Sequence, residues 1–69
     1  MWFYGRIDGF QYEVKVYETG SQYGINEGRI SKLYLKGDEG QANYDRGWDI
    51  EPTTPEAEKA VQILLERFK

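Results

Sequence analysis

Asp45, Asp49 and Glu51 come nearest, by type and spacing, to residues that could do chemistry. At alternate positions of one strand their carboxylates would point the same way, and such a cluster can hold Mg²⁺ or divide acid and base roles. Lys32 and Arg46 stand close enough to neutralise it, and carboxylates near a sheet end are ordinarily solvated. The remaining chemistry is thin. The chain contains neither His nor Cys, which removes Ser-His-Asp and Cys-His catalysis, disulfides and the commonest zinc ligands. Ser31 and Lys32 are adjacent, and neighbours in a strand point to opposite faces, so they cannot form a Ser-Lys pair. Arg29 and Arg46 could clamp a carboxylate or phosphate, with salt bridges to Glu27, Asp45 or Asp49 the simpler role. The Gly-rich segment from Ser21 to Gly28 matches no phosphate-binding fingerprint. The reading is of a non-enzymatic chain with no cofactor and no metal.

Composition narrows the class further. The 69 residues carry a net charge of −3, which weighs against generic binding to duplex nucleic acid yet is too mild for a nucleic-acid mimic. A chain this short buries only about 60% of its unfolded surface, so a net stability of roughly 3–5 kcal/mol is expected. Two Trp, six Tyr and three Phe give it aromatic bulk, of which a few well-placed rings can make a core. No apolar run approaches the ~20 residues that span a bilayer. The segment Met1-Trp2-Phe3-Tyr4-Gly5-Arg6 lacks the basic-then-apolar layout of a signal peptide. The expected location is cytoplasmic, with no membrane partner.

The elements that position these residues follow from turn chemistry and periodicity. Asp8-Gly9 between two alternating runs predicts a type I′ hairpin with strands over about 2–7 and 10–17. That turn sets the register. Phe3, Gly5 and Ile7 should oppose Val14, Tyr12 and Phe10 on an apolar face, with Trp2, Tyr4 and Arg6 opposite Lys15, Glu13 and Gln11 on the other. A connector from Glu18 to Gly28 should be anchored by Tyr23 and Ile25.

A second hairpin is expected from strands over about 29–36 and 41–50, joined by the four-residue turn Gly37-Asp38-Glu39-Gly40. It pairs Leu35 with Ala42, Leu33 with Tyr44, Ser31 with Arg46 and Arg29 with Trp48. On its reverse face Tyr34 meets Asn43, Lys32 meets Asp45 and Ile30 meets Gly47, where a bulge is possible. Thr54 and Pro55 open a helix over about 55–68, whose stripe is Ala57, Ala60, Val61, Leu64, Leu65 and Phe68. The predicted fold is therefore a single α+β domain, a four-stranded antiparallel sheet of two β-hairpins with one C-terminal helix packed on one face. Whether strands one and four or strands two and three join the hairpins is left open.

One helix covers one face, so the other is where binding should occur. There the registers place Trp2, Tyr4, Arg6, Lys15, Tyr17, Lys32 and Tyr34, with Glu13 and Asp45 interleaved. Tyr, Trp and Arg are the residue types that dominate protein interfaces. The same side chains can also simply pack along the sheet, with Lys and Arg stems lying over the rings. The face thus points to a protein partner or to self-association. Single-stranded nucleic acid is the alternative, bases stacking on the rings, with the acidic balance and the lack of an RNP1-like run against it.

Two strings, Tyr23-Gly24-Ile25-Asn26-Glu27-Gly28-Arg29-Ile30-Ser31-Lys32-Leu33 and Ala42-Asn43-Tyr44-Asp45-Arg46-Gly47-Trp48-Asp49, carry a resemblance over nearly the whole chain. It resembles a family of short uncharacterised proteins of Gram-positive bacteria, their phages and their conjugative elements, a domain of unknown function. The resemblance implies a cytoplasmic bacterial or phage setting and an accessory role on a mobile element. It implies no activity, cofactor or site residue.

Overall fold

The computed structural model describes all residues from 1 to 69. Asp8 and Gly9 both take positive φ, 49° and 83°, as the type I′ turn requires. They join β1 (Trp2–Ile7) to β2 (Phe10–Val16), and all six expected cross-strand pairs are present, from Trp2 opposite Lys15 to Ile7 opposite Phe10. The Tyr12 ring lies over Gly5 so closely that a Cβ there would meet its hydroxyl at 2.8 Å. The ring fills the space the glycine leaves, a compensation for its weak strand propensity.

After β2 the connector closes on a short 3₁₀ turn, η1 (Ile25–Glu27). Ile25 is buried as expected, but Tyr23 is not. The chain is held there by the Tyr23 carbonyl, which accepts from Tyr44 Oη at 2.8 Å, while the Tyr23 ring faces solvent. Strand β3 (Ile30–Gly37) then pairs with β2, which resolves the open question of how the hairpins join. A register shift between Lys15 and Val16 accompanies the pairing of Val16 with Ile30. The chain bulges there, so both Ile30 and Ser31 are buried. Ile30, expected opposite Gly47 on the uncovered face, belongs instead to the core.

The second hairpin keeps its expected register from Lys32–Asp45 to Leu35–Ala42. Its turn is tighter than expected, because Gly37 pairs with Gly40 and leaves only Asp38-Glu39 between β3 and β4 (Gly40–Asp45). The larger correction lies beyond Asp45. The segment expected as one strand over about 41–50 is two, because the chain reverses at Arg46-Gly47 and β5 (Trp48–Ile50) returns antiparallel along β4. The sheet is therefore five-stranded, in the order β1-β2-β3-β4-β5. Gly47 reads as a bulge in the sequence, but the residue in the left-handed conformation is Arg46, at φ 56°. Arginine carries no left-handed signal, which is why the turn is invisible locally. The Arg29–Trp48 pairing does not form. Trp48 pairs with Tyr44, their rings 5.0 Å apart edge to face.

Helix α1 (Pro55–Arg67) starts as its sequence dictates, with Thr54 Oγ1 accepting from the Ala57 N–H at 3.0 Å and Pro55 in the first turn. Its 13 residues span about 20 Å. Ala57 packs on Gly40 at one end, and Phe68, just past the other, meets Phe3 with ring centroids 5.0 Å apart. The helix thus crosses the sheet diagonally from β4 to β1. Beneath it lie Phe10, Val14, Leu33, Leu35 and Ala42, each nearly inaccessible to solvent, as is Leu64 on the buried face of the helix itself. No helix is long and apolar enough to cross a membrane.

Candidate functional site

Because every side chain in a strand alternates faces, the registers fix what the uncovered side of the sheet displays. Three rows run across the strands. Trp2, Lys15, Lys32 and Asp45 form the first; Tyr4, Glu13, Tyr34, Asn43 and Ile50 the second; Arg6, Gln11, Lys36 and Gln41 the third. All seven residues singled out from the sequence lie on this side or at its end. Tyr17 stands just past β2, close enough for Lys15 Nζ to sit 5.5 Å from its ring centroid. Lys36 and Ile50 join them on this face beyond what the sequence pointed to. Lys36 follows from alternation alone, whereas Ile50 arrives only through the β4–β5 reversal.

The rings stand open. Tyr4 is 67% exposed, Trp2 43% and Tyr34 39%. Trp2 and Tyr4, two residues apart on β1, lie nearly parallel, with centroids 6.3 Å apart and planes at 22°. A shallow groove runs inward from them, lined by Trp2, Glu13, Lys32, Tyr34, Asn43 and Asp45. Among these side chains the ion pair Lys32–Asp45 (3.7 Å) is the one direct polar link. It is solvent-exposed and contributes a few tenths of a kcal/mol.

The charge on this face is segregated. Arg6, Lys15, Lys32 and Lys36 outnumber Glu13 and Asp45, so the face is net positive on a chain of net charge −3. Lys15 lies directly opposite Lys32, an arrangement that costs stability because like charges face each other. The two ammonium groups lean apart, one over Tyr17 and one toward Asp45. Replacing Lys15 by Glu should therefore raise stability by about 0.5 kcal/mol, read as a higher urea midpoint with an unchanged slope. It should weaken any ligand that uses the positive spot.

The other candidates disperse. Asp45, Asp49 and Glu51 do not converge, and no group of acidic side chains comes together as a metal site. Their shared direction required an unbroken strand, and the turn at Arg46 removes that premise. Arg29 forms no ion pair with Glu27. Its Nε donates to the Tyr17 carbonyl (2.8 Å) and its Nη1 to the Lys69 carbonyl (3.3 Å), tying the connector to the end of the helix. Arg46 sits in the β4–β5 turn, its backbone N–H donating to the Ser31 carbonyl at 3.0 Å.

A family model for a domain of unknown function, DUF7678, matches residues 1–69. The chain belongs to the DUF7678 family. The match runs over the whole meander and its helix, so the open face is part of the DUF7678 domain itself. No curated protein matches this DUF7678 chain, and no solved structure does.

Proposed function

We propose that this chain is a small non-enzymatic interaction module that holds a protein surface, of another protein or of a second copy, against its open sheet face. The observation that carries this reading is the exposed aromatic row and groove on the face opposite the helix, from Trp2 and Tyr4 to Tyr34. Large rings in this setting bury much area at little entropic cost and act as anchors. The net positive charge of the face favours an acidic surface, which the Lys15–Lys32 juxtaposition would attract and which would offset its repulsion. The resemblance to proteins of bacteria, phages and conjugative elements supplies the setting: an accessory protein of a phage or mobile element, working in the bacterial cytoplasm.

The test is a double variant, Tyr4→Ala with Tyr34→Ala. Both rings are exposed and outside the core, so the variant should keep its thermal transition. Affinity capture followed by reconstitution with the purified partner, or light scattering for self-association, should show binding by the parent chain and at least a tenfold loss in the variant. Equal binding by the two proteins would refute the role of this face.

The same charge segregation favours a second reading, a single nucleic-acid strand with bases on Tyr4 and Tyr34 and phosphates near Lys15 and Lys32. Glu13 stands between those two tyrosines in the row and opposes it. Fluorescence anisotropy with mixed oligonucleotides at low salt separates the readings, and no change at tens of micromolar protein eliminates the second.

A further inference from the structure

The two edges of this sheet are unequal. Strand β5 is three residues long, carries Asp49, and runs into Glu51 and Pro52, features that blunt an edge against pairing. Strand β1 has six residues, no proline and a single charge, Arg6. Nothing covers its outer side, since β1 neighbours only β2.

The ladder shows which backbone groups that edge presents. Met1 and Val16 exchange two hydrogen bonds, of 2.8 and 2.9 Å. In an antiparallel pair such exchanges recur at every second residue. Phe3, Gly5 and Ile7 therefore spend their N–H and C=O groups on β2. Those of Trp2, Tyr4 and Arg6 point outward, three donors and three acceptors in a row.

We propose that two copies of this chain pair through β1, antiparallel about a twofold axis at Tyr4, to make one continuous sheet. In this register Tyr4 faces the second copy's Tyr4, and Trp2 faces the second copy's Arg6. All six outward groups on each strand are then satisfied. A shift by two residues in either direction loses one of the three bonded pairs.

The side chains fit this register. Each Arg6 guanidinium comes beside a Trp2 indole, the best cation–π partner, and the two Arg6 charges stand about 14 Å apart along the strand. On the helix side Phe3, still 37% exposed, comes beside Gly5 of the second copy and the Tyr12 ring that covers it. The contact is short, below the area of a permanent interface, so the dimer is weak, with a dissociation constant on the order of 100 µM. It would place the two open faces side by side on one surface. The pairing uses the backbone of β1 and does not rest on the proposed use of the face.

The experiment combines sedimentation equilibrium with amide exchange, from 10 µM to 1 mM. The chain should pass from monomer to dimer. The amides of Trp2, Tyr4 and Arg6 should become protected with concentration, while those of Phe3, Gly5 and Ile7 are protected throughout. Tyr4→Pro removes an outward N–H without touching the β1–β2 ladder, and should weaken the dimer at least tenfold. A synthetic chain N-methylated at Tyr4 removes the same donor if that variant does not fold. Tyr34→Ala, outside β1, should leave the dimer intact even where it abolishes partner binding. A monomer at 1 mM, or a dimer whose protection appears elsewhere than at residues 2, 4 and 6, would overturn the proposal.

Discussion

Phe10→Ala is expected to leave the chain without a cooperative folded state. Phe10 opens β2, is 1% exposed, pairs with Ile7 of β1 and lies against Gly37 of β3. Its ring occupies the space that glycine leaves, so closely that a Cβ on Gly37 would meet it at 3.0 Å. The row from Ile7 through Phe10 and Gly37 to Gly40 lies under the start of the helix, with Ala57 against Gly40. Phe10 is the only large ring in that row. Glycines offer nothing that could collapse into the cavity its removal creates, so the cost belongs in the range of about 3–5 kcal/mol for a buried Phe. That matches the roughly 3–5 kcal/mol a domain of this size has in total. Near-ultraviolet dichroism and a urea titration should show loss of fixed packing and no sigmoidal transition, while Phe10→Leu stays folded. A cooperative transition displaced by less than about 2 kcal/mol would show that the surroundings close over the site.

Gly40→Ala should cost about 3 kcal/mol and detach the start of the helix from the second hairpin. Gly40 has φ 142°, a conformation that side-chain-bearing residues rarely adopt. A Cβ there would also meet Thr54 Oγ1 at 2.6 Å and Thr53 Oγ1 at 2.9 Å. Both hydroxyls are committed. Thr53 Oγ1 accepts from the Gln41 N–H at 2.9 Å, and Thr54 Oγ1 caps the helix while donating to the Glu39 carbonyl. The Thr53 N–H also donates to the Gln41 carbonyl at 3.0 Å. Moving the threonines aside therefore breaks the cap and the joint between hairpin and helix together. Gly47→Ala is the matched control, since its Cβ would meet nothing within 4 Å. A small, equal effect of the two substitutions on the urea midpoint would refute the account.

These features locate where stability and binding are kept apart. The residues that hold the fold lie on the helix side of the sheet. The opposite side carries rings left substantially exposed to water and a like-charge pair across β2 and β3. A substitution there can raise stability while lowering affinity, and Lys15→Glu is the direct case. The tertiary structure also puts β1 in two roles. Its side chains Trp2, Tyr4 and Arg6 belong to the open face, and the backbone groups of the same residues form the free edge.

The amino-acid sequence by itself determined the first hairpin, the helix and most of the open face. Asp8-Gly9 imposes a turn whose length fixes register, and strict alternation then assigns every side chain of β1 and β2 to a face. Thr54-Pro55 and the apolar stripe fix where the helix begins and which side it buries. These signals are local, carried by residues whose conformational preferences are strong and few. Only the tertiary structure decided that β2 pairs with β3, that Ile30 turns inward at a bulge, and that the chain reverses at Arg46. Each depends on what a segment finds opposite it in space. Val16 draws Ile30 into the core and displaces alternation by one residue. Tyr44 supplies the ring on which Trp48 folds back, and that contact holds an arginine in a conformation its own preferences oppose. The reversal dispersed the carboxylates and created the short, blunt edge at β5, leaving β1 as the long edge open to pairing.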